Sequence, residues 1–204
     1  MDVTAVAAVT GMAASTLNLA LESYRTLKRS NVKVFFGKLV ESGVDLKAIG
    51  DQEDLGRCFL SVVDRVANEA HIRKIDCWKN AVVHLATDFR DFQLRDTFIS
   101  ALGYLTVFDL TVVHKVYSTD FAKEGFEEEI AGFFTHRNVP IEYVRQALKR
   151  LASHNLISEQ FDRSFMLGAG LTDFNYVKNA IGPEFLHFIS TEYSKTASGP
   201  ANDL

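Results

Sequence analysis

The sequence predicts a mainly α-helical protein that carries one small β-hairpin. The 204 residues include only three prolines, and long stretches repeat apolar residues at the spacing of a helix face. Sixteen phenylalanines supply large groups for the buried sides of those helices. With 47% apolar residues, the chain can bury a core in one or two globular units.

The first segment, residues 3–21, contains no charged residue and is long enough to span a bilayer. Several polar residues dilute it, however, and Asp2 rather than a basic residue precedes it. We therefore expect a buried or self-associating helix, with attachment to a membrane surface as the alternative. Small residues at Ala7, Gly11 and Ala14 would let two such helices approach closely, which makes these three residues candidates for self-association.

The stretch that follows is expected to be helical up to Gly103. An amphipathic helix stops at Gly43, and Asp51 is expected to cap the next start. Helical periodicity then covers residues 54–89 as two helices or one bent helix, and a further helix is interrupted at Gly103. The sequence therefore predicts a helical bundle over residues 1–103.

Three more helices are expected after residue 104. Thr106 or Asp109 can cap the first of them, and the second begins near Phe126. Pro140 opens the third, because the missing N–H of a proline is not needed in the first turn of a helix. In this third helix the apolar residues form one stripe, at Ile141, Val144, Leu148 and Leu151.

A β-hairpin is expected directly after the third helix. Its first strand is predicted over residues 156–158, its polar tip over 159–163 and its second strand over 165–167. These segments are short and apolar on either side of a polar stretch, which is the pattern of a strand, a turn and a strand.

A closing helix ends the second unit. It is predicted over residues 181–189 and is entered at Pro183. The second unit therefore covers residues 104–193, and the small, polar residues 194–204 are expected to form a flexible tail.

The order of elements in residues 104–193 resembles a winged helix-turn-helix domain. The resemblance rests on Leu148-Lys-Arg-Leu151, then Leu156-Ile157, a strand pair and the stretch over residues 182–189. Such winged-helix modules occur in bacterial regulators. The larger plan, a helical N-terminal half joined to this module, is similar to that of some bacterial proteins of the abortive-infection phage-defence class.

In a winged helix, the third helix would present its polar face to a DNA groove or to a partner protein. The candidate contact residues are Arg145, Gln146, Lys149, Arg150 and, at the wing tip, Arg163. Three consecutive glutamates, residues 127–129, lie on the preceding helix and would repel phosphate. The net charge of −4 also argues against bulk binding to polyanions. We therefore favour protein interaction over DNA binding and keep both hypotheses.

The sequence contains none of the common catalytic motifs. Its six histidines are dispersed, without an HExxH motif or a cysteine at ligand spacing, and no glycine-rich phosphate loop is present. His84 and Asp88 are one helical turn apart and could hold a metal together, but a solvated helix face is the preferred interpretation. We predict no enzymatic activity, no catalytic residue, no metal and no cofactor.

Cys58 and Cys77 lie in apolar helical contexts, which favours buried thiols in a reducing compartment and therefore the cytoplasm. The leading hypothesis is a non-enzymatic regulatory or protein-interaction protein whose partner is another protein or a second copy of the chain. The alternatives are a DNA-binding transcriptional regulator and a membrane-surface effector attached through residues 3–21.

Overall fold

The computed structural model describes residues 22, 25–87, 92–119, 126–161 and 174–190. These ranges contain nine helices and a single pair of strands, so the mainly α-helical class with a small hairpin is confirmed. Several predicted features lie outside the described residues: Ala7, Gly11 and Ala14, Arg163, and the tail over residues 194–204.

The N-terminal half of the described chain is made of consecutive helices. Helix α1 covers residues 25–41, and Gly43 follows it with a φ of 70°, a left-handed conformation that glycine adopts without strain. The described part of the predicted helical stretch, residues 54–87, forms two helices rather than one bent helix. The four helices after α1 are α2 (Leu46–Gly50), α3 (Glu53–Ala67), α4 (Ile72–Thr87) and α5 (Phe92–Tyr104).

Two local predictions in this half are wrong. Asp51 does not cap the start of a helix, because it is the C-terminal cap of α2, a five-residue helix too short to leave a periodic pattern. Asp45 caps the start of α2 by accepting hydrogen bonds from two backbone N–H groups. Gly103 does not stop α5, which continues through Tyr104.

The second half begins with α6 (Val107–Ser118), α7 (Glu127–Thr135) and α8 (Ile141–Ser153). The predicted cap of α6 is confirmed as a capping box: Thr106 Oγ1 accepts from the Asp109 N–H at 3.2 Å, and the Asp109 carboxylate accepts from the Thr106 N–H at 2.7 Å. Pro140 immediately precedes α8, as predicted. Helix α8 packs against both α6 and α7.

The hairpin lies in different residues from those predicted. Strand β1 (Ser158–Phe161) pairs antiparallel with β2 (Phe174–Val177), so the residues expected at the polar tip form most of β1. The strand starts later than predicted because the Leu156 N–H still donates to the Leu151 carbonyl at the end of α8, at 3.0 Å. The predicted second strand, residues 165–167, lies outside the described residues.

The closing helix α9 (Ile181–Ile189) has the predicted bounds. The first two backbone N–H groups of α9, those of Ile181 and Gly182, donate to Asn179 Oδ1 at 3.0 and 3.1 Å. Helix α9 packs against both α4 and α6, and Asn80 Nδ2 of α4 donates to the Ile189 carbonyl at 2.8 Å. The C-terminal helix is therefore attached to the N-terminal helices.

One buried cluster extends across the expected boundary at residue 103. Phe98 of α5 packs against Phe185 and Phe188 of α9, with ring centroids 5.4 and 5.6 Å apart. Trp78 of α4 is fully buried in the same cluster. Helix α9 therefore joins the two predicted units through a shared core.

The described residues at the start of α1, 25–30, lie at or near the surface, and Leu27 is half exposed. Helix α1 first reaches the interior at Asn31. None of the helices in the described ranges is both long enough and apolar enough to cross a bilayer. Residues 3–21, which suggested the membrane alternative, fall outside those ranges.

Candidate functional site

The candidate site is the outer face of α8. The inner face carries the predicted apolar stripe, since Val144, Leu148 and Leu151 are buried, while Ile141 at the start of the helix is half-buried. The burial of this stripe directs the polar residues of α8 to solvent or to the helix flanks. The structure therefore brings Arg145, Gln146, Lys149 and Arg150 onto one accessible side of the protein.

Arg150 is held in place by Asp109 of α6. Its Nε and Nη2 donate to the two carboxylate oxygens at 3.0 and 2.7 Å. The Asp109 side chain is fully buried, whereas 40% of the Arg150 side chain is exposed. The hydrogen bond to Asp109 raises the pKa of Arg150, although partial burial opposes this. Turning Arg150 toward a phosphate would leave a buried carboxylate without its cation, which is costly.

The Asp109 carboxylate has two functions at once. Besides binding Arg150, its Oδ2 accepts hydrogen bonds from the backbone N–H and the hydroxyl of Thr106, at 2.7 and 2.8 Å. The same side chain therefore caps α6 and fixes α8, and the two helices are joined by a fully paired polar group.

Arg145 is also paired, although at the surface. Its Nε donates to Glu127 Oε1 of α7 at 3.0 Å. A pair of this kind contributes about 0.2–1 kcal/mol. One of the glutamates expected to repel phosphate thus contacts an arginine expected to bind it, and a phosphate would have to compete with Glu127 for Arg145.

The other two candidates on α8 are exposed. Gln146 lies on the solvent side, and Lys149 lines an open polar cleft of about 440 Å³ between α8 and the start of β1, together with Asn155 and Glu159. Within the described part of the chain, Lys149 makes no ion pair. The cleft is therefore lined by one positive side chain, Lys149, and one negative side chain, Glu159.

Two tyrosines that were not candidates from the sequence lie on the same side of the protein as Arg150 and His154. Tyr143, Arg150 and His154 follow one another along one side of α8, and the ring of Tyr104 stacks on His154 with centroids 5.8 Å apart. Tyr143 and Tyr104 are 60% and 71% exposed. We refer to Tyr104, Tyr143, Arg150 and His154 as the tyrosine face. Tyr104 belongs to α5, so no local sequence pattern could have placed it here.

The possible metal pair does not form a solvated helix face. His84 is buried, its Nε2 lies 3.1 Å from the Ser190 carbonyl oxygen, and its ring is 4.4 Å from that of His187 on α9. The preferred interpretation of His84 was therefore wrong, because α9 covers it. Asp88 lies outside the described residues, and among those that are described no three His, Cys, Asp or Glu side chains are grouped to hold a metal ion.

Both cysteines are free thiols. Cys58 is buried and Cys77 is half-buried, so the expected burial is complete at one and partial at the other. Burial raises the pKa of both, that of Cys77 to about 11, and the neighbouring Asp96 and Asp76 carboxylates add to the effect. A raised pKa keeps a thiol protonated and poorly nucleophilic.

No protein-family model matches this sequence, and neither a curated protein nor a solved structure matches it. What the chain does is therefore inferred from its own residues and contacts.

Proposed function

We propose that this chain is a non-enzymatic, cytoplasmic protein-interaction protein and that the tyrosine face binds a partner protein. The proposal rests on one arrangement: Asp109 fixes Arg150 on the side of α8 that also carries His154 and the exposed Tyr143, and the exposed Tyr104 of α5 stacks on His154. Tyrosine and arginine are enriched among the residues that dominate protein–protein affinity. The Arg150 guanidinium is already held by Asp109, and the Tyr104 ring is already stacked on His154. Both side chains therefore lose little conformational entropy on binding.

DNA binding is the second candidate and has less support. Groove binding needs cations that can neutralise phosphates, yet Asp109 and Glu127 hold Arg150 and Arg145. Of the basic residues on the outer face of α8, Lys149 alone has no carboxylate partner in the described ranges. Because carboxylates of the same chain already pair with Arg145 and Arg150, we favour a protein partner over DNA.

The order of α6, α7, α8, hairpin and α9 is consistent with the winged-helix resemblance. Winged helices serve protein interaction as well as DNA binding, so the fold does not decide between the two. On the same resemblance we propose a regulatory role, with bacterial phage defence as its setting.

We also propose that residues 3–21 mediate self-association. The described start of α1 lies at the surface, and the small residues Ala7, Gly11 and Ala14 of the preceding sequence suit close helix pairing. Deleting residues 1–21 should yield a smaller species by light scattering, and the remaining helices should stay folded, with a cooperative thermal transition by circular dichroism. A full-length chain that is already monomeric would contradict this, whereas a chain that needs detergent to stay dispersed would favour the membrane alternative.

Partner capture tests the tyrosine face. The full chain is used as bait in a lysate of the source organism, and recovered proteins are quantified by mass spectrometry. We expect a protein partner whose recovery falls about tenfold when Tyr104 and Tyr143 are both replaced by serine, a loss of about 1.4 kcal/mol. Leu60→Ser is the matched control, because Leu60 is equally exposed but lies on α3.

The control should retain the partner at the unmodified level. Equal recovery by the unmodified chain and the tyrosine variant would exclude the tyrosine face as the binding surface. Loss of every captured protein after nuclease treatment would favour nucleic acid as the partner instead.

A further inference from the structure

A second polar surface lies far from α8 in the sequence, where α3 turns into α4. It is a cleft of about 470 Å³, within the size range of small-molecule sites. Two cations and two carboxylates line it: Arg65 and Lys74, and Asp64 and Glu69. Lys74 and Glu69 are its buried part, and Asp64 is exposed at the rim.

Lys74 and Glu69 form an ion pair in the buried part of the cleft. Lys74 Nζ lies 2.9 Å from Glu69 Oε2, and the two side chains are 5% and 9% exposed. The Glu69 carboxylate also accepts from the His71 N–H at 3.1 Å and from Trp78 Nε1 at 3.4 Å. An ammonium has three N–H donors, and Glu69 is the acceptor for Lys74 among the described residues. The buried cation therefore has donors to spare.

Arg65 is positioned by packing and not by a carboxylate. Its guanidinium lies across Gly103 of α5, where an added Cβ would fall 1.8 Å from Nη1 and 2.9 Å from Cζ. None of the residues that the structure describes accepts a hydrogen bond from this guanidinium or pairs with it. The absence of a side chain at Gly103 thus leaves space for the Arg65 guanidinium, which has five N–H donors. Arg65 lines the cleft at this point.

The charges of the cleft restrict what can bind. Two positive and two negative side chains sum to zero, so a phosphate dianion would meet two carboxylates as well as two cations. A carboxylate suits Arg65, because the planar guanidinium binds a planar carboxylate through two parallel hydrogen bonds. A positive group on the same ligand suits the exposed Asp64.

We propose that this cleft binds a small zwitterion of the amino-acid class. Its carboxylate contacts Arg65 and the spare donors of Lys74, and its ammonium faces Asp64. The cleft shares no lining residue with the tyrosine face, although Gly103 and Tyr104 are neighbours in the chain, and the proposal does not depend on the proposed protein interaction.

Isothermal titration calorimetry of the full chain against the standard free amino acids tests the proposal. We expect at least one to bind, and we expect Arg65→Gln to weaken that binding at least about tenfold. Arg57→Gln is the matched control, because Arg57 lies two turns earlier on α3 and pairs at the surface with Glu53. It should bind like the unmodified chain.

Two further arms separate the ligand chemistry from a general effect of charge. Gly103→Ala keeps the cation but displaces it, so it should weaken binding as Arg65→Gln does. The methyl ester of the bound amino acid lacks the carboxylate and should not bind. Absence of binding by every amino acid, binding of inorganic phosphate alone, or binding that survives Arg65→Gln or esterification would overturn the proposal.

Discussion

Arg150 donates two hydrogen bonds to the fully buried carboxylate of Asp109, at 3.0 and 2.7 Å. The two residues are 41 positions apart in the sequence and join α8 to the first turn of α6. A side chain that suggested a DNA contact is thus held against α6 by a buried carboxylate.

Replacing Arg150 with alanine should lower the free energy of unfolding by about 3 kcal/mol, because Asp109 would remain buried without the cation that pairs with it. Urea denaturation measures the change. Arg145→Ala is the control, since its pair with Glu127 lies at the surface and contributes less than about 1 kcal/mol. Similar small losses in both variants would show that Asp109 does not need Arg150.

Gly182→Ala should destabilise the protein by about 1–3 kcal/mol, because an added methyl group overfills a packed site. A Cβ at Gly182 would lie 2.2 Å from the ring and hydroxyl of Tyr117, and that hydroxyl donates to the Leu156 carbonyl at 2.6 Å. Gly132→Ala on α7 is the control, as it meets no atom within 4 Å and should gain up to about 1 kcal/mol from helix propensity. Equal melting temperatures for the two variants would contradict this packing.

Cys77 should react slowly with iodoacetamide. Raising its pKa from 9.0 to about 11 lowers the thiolate fraction near neutral pH about a hundredfold. Mass spectrometry of the Cys77 peptide gives the rate, and the unfolded chain in denaturant gives the reference. A folded rate within about threefold of the reference would mean that the thiol is neither buried nor shifted.

Acid should weaken the fold partly through Glu69. Burial tends to raise its pKa, but the hydrogen bonds from Lys74 and the His71 N–H outweigh this, and the pKa lies below its ordinary 4.5. A lowered folded-state pKa gives stability that is complete above about pH 4.5 and is lost as the pH falls through the folded value. Glu69→Gln should therefore flatten the pH dependence of the unfolding free energy below that pH. An unchanged slope would contradict the assignment.

The parts of the fold that depend on neighbouring residues could be predicted from the sequence. The stripe of α8, the cap at Thr106 and the closing helix all follow from spacing and local hydrogen-bonding capacity. The residues of the hairpin could not be predicted, because β1 can pair with any suitable apolar segment that follows it, and local sequence does not determine which one. Residues 165–167 look as suitable for a strand as Phe174–Val177 does.

The candidate site, like the hairpin, depends on contacts between residues that are distant in the sequence. The charged residues of α8 could be found from the sequence, but the carboxylates that hold Arg145 and Arg150 come from other helices. His84 was expected at a solvated face, since its helical spacing to Asp88 does not reveal that α9 covers it. Tyr104 joins the tyrosine face only because α5 ends beside His154.

We propose that the outer face of α8 contacts a protein and not a DNA groove. Fluorescence anisotropy with labelled duplexes over a range of salt concentrations tests it most directly, because each phosphate that a cation neutralises adds about 0.9 to the slope of log affinity against log salt. The variant Arg145→Gln/Lys149→Gln serves as the comparison and leaves the Arg150–Asp109 pair intact. We expect weak, sequence-indifferent binding whose slope this variant barely changes. Nanomolar binding to one duplex at physiological salt, lost in the variant, would contradict the claim and identify α8 as a DNA-reading helix.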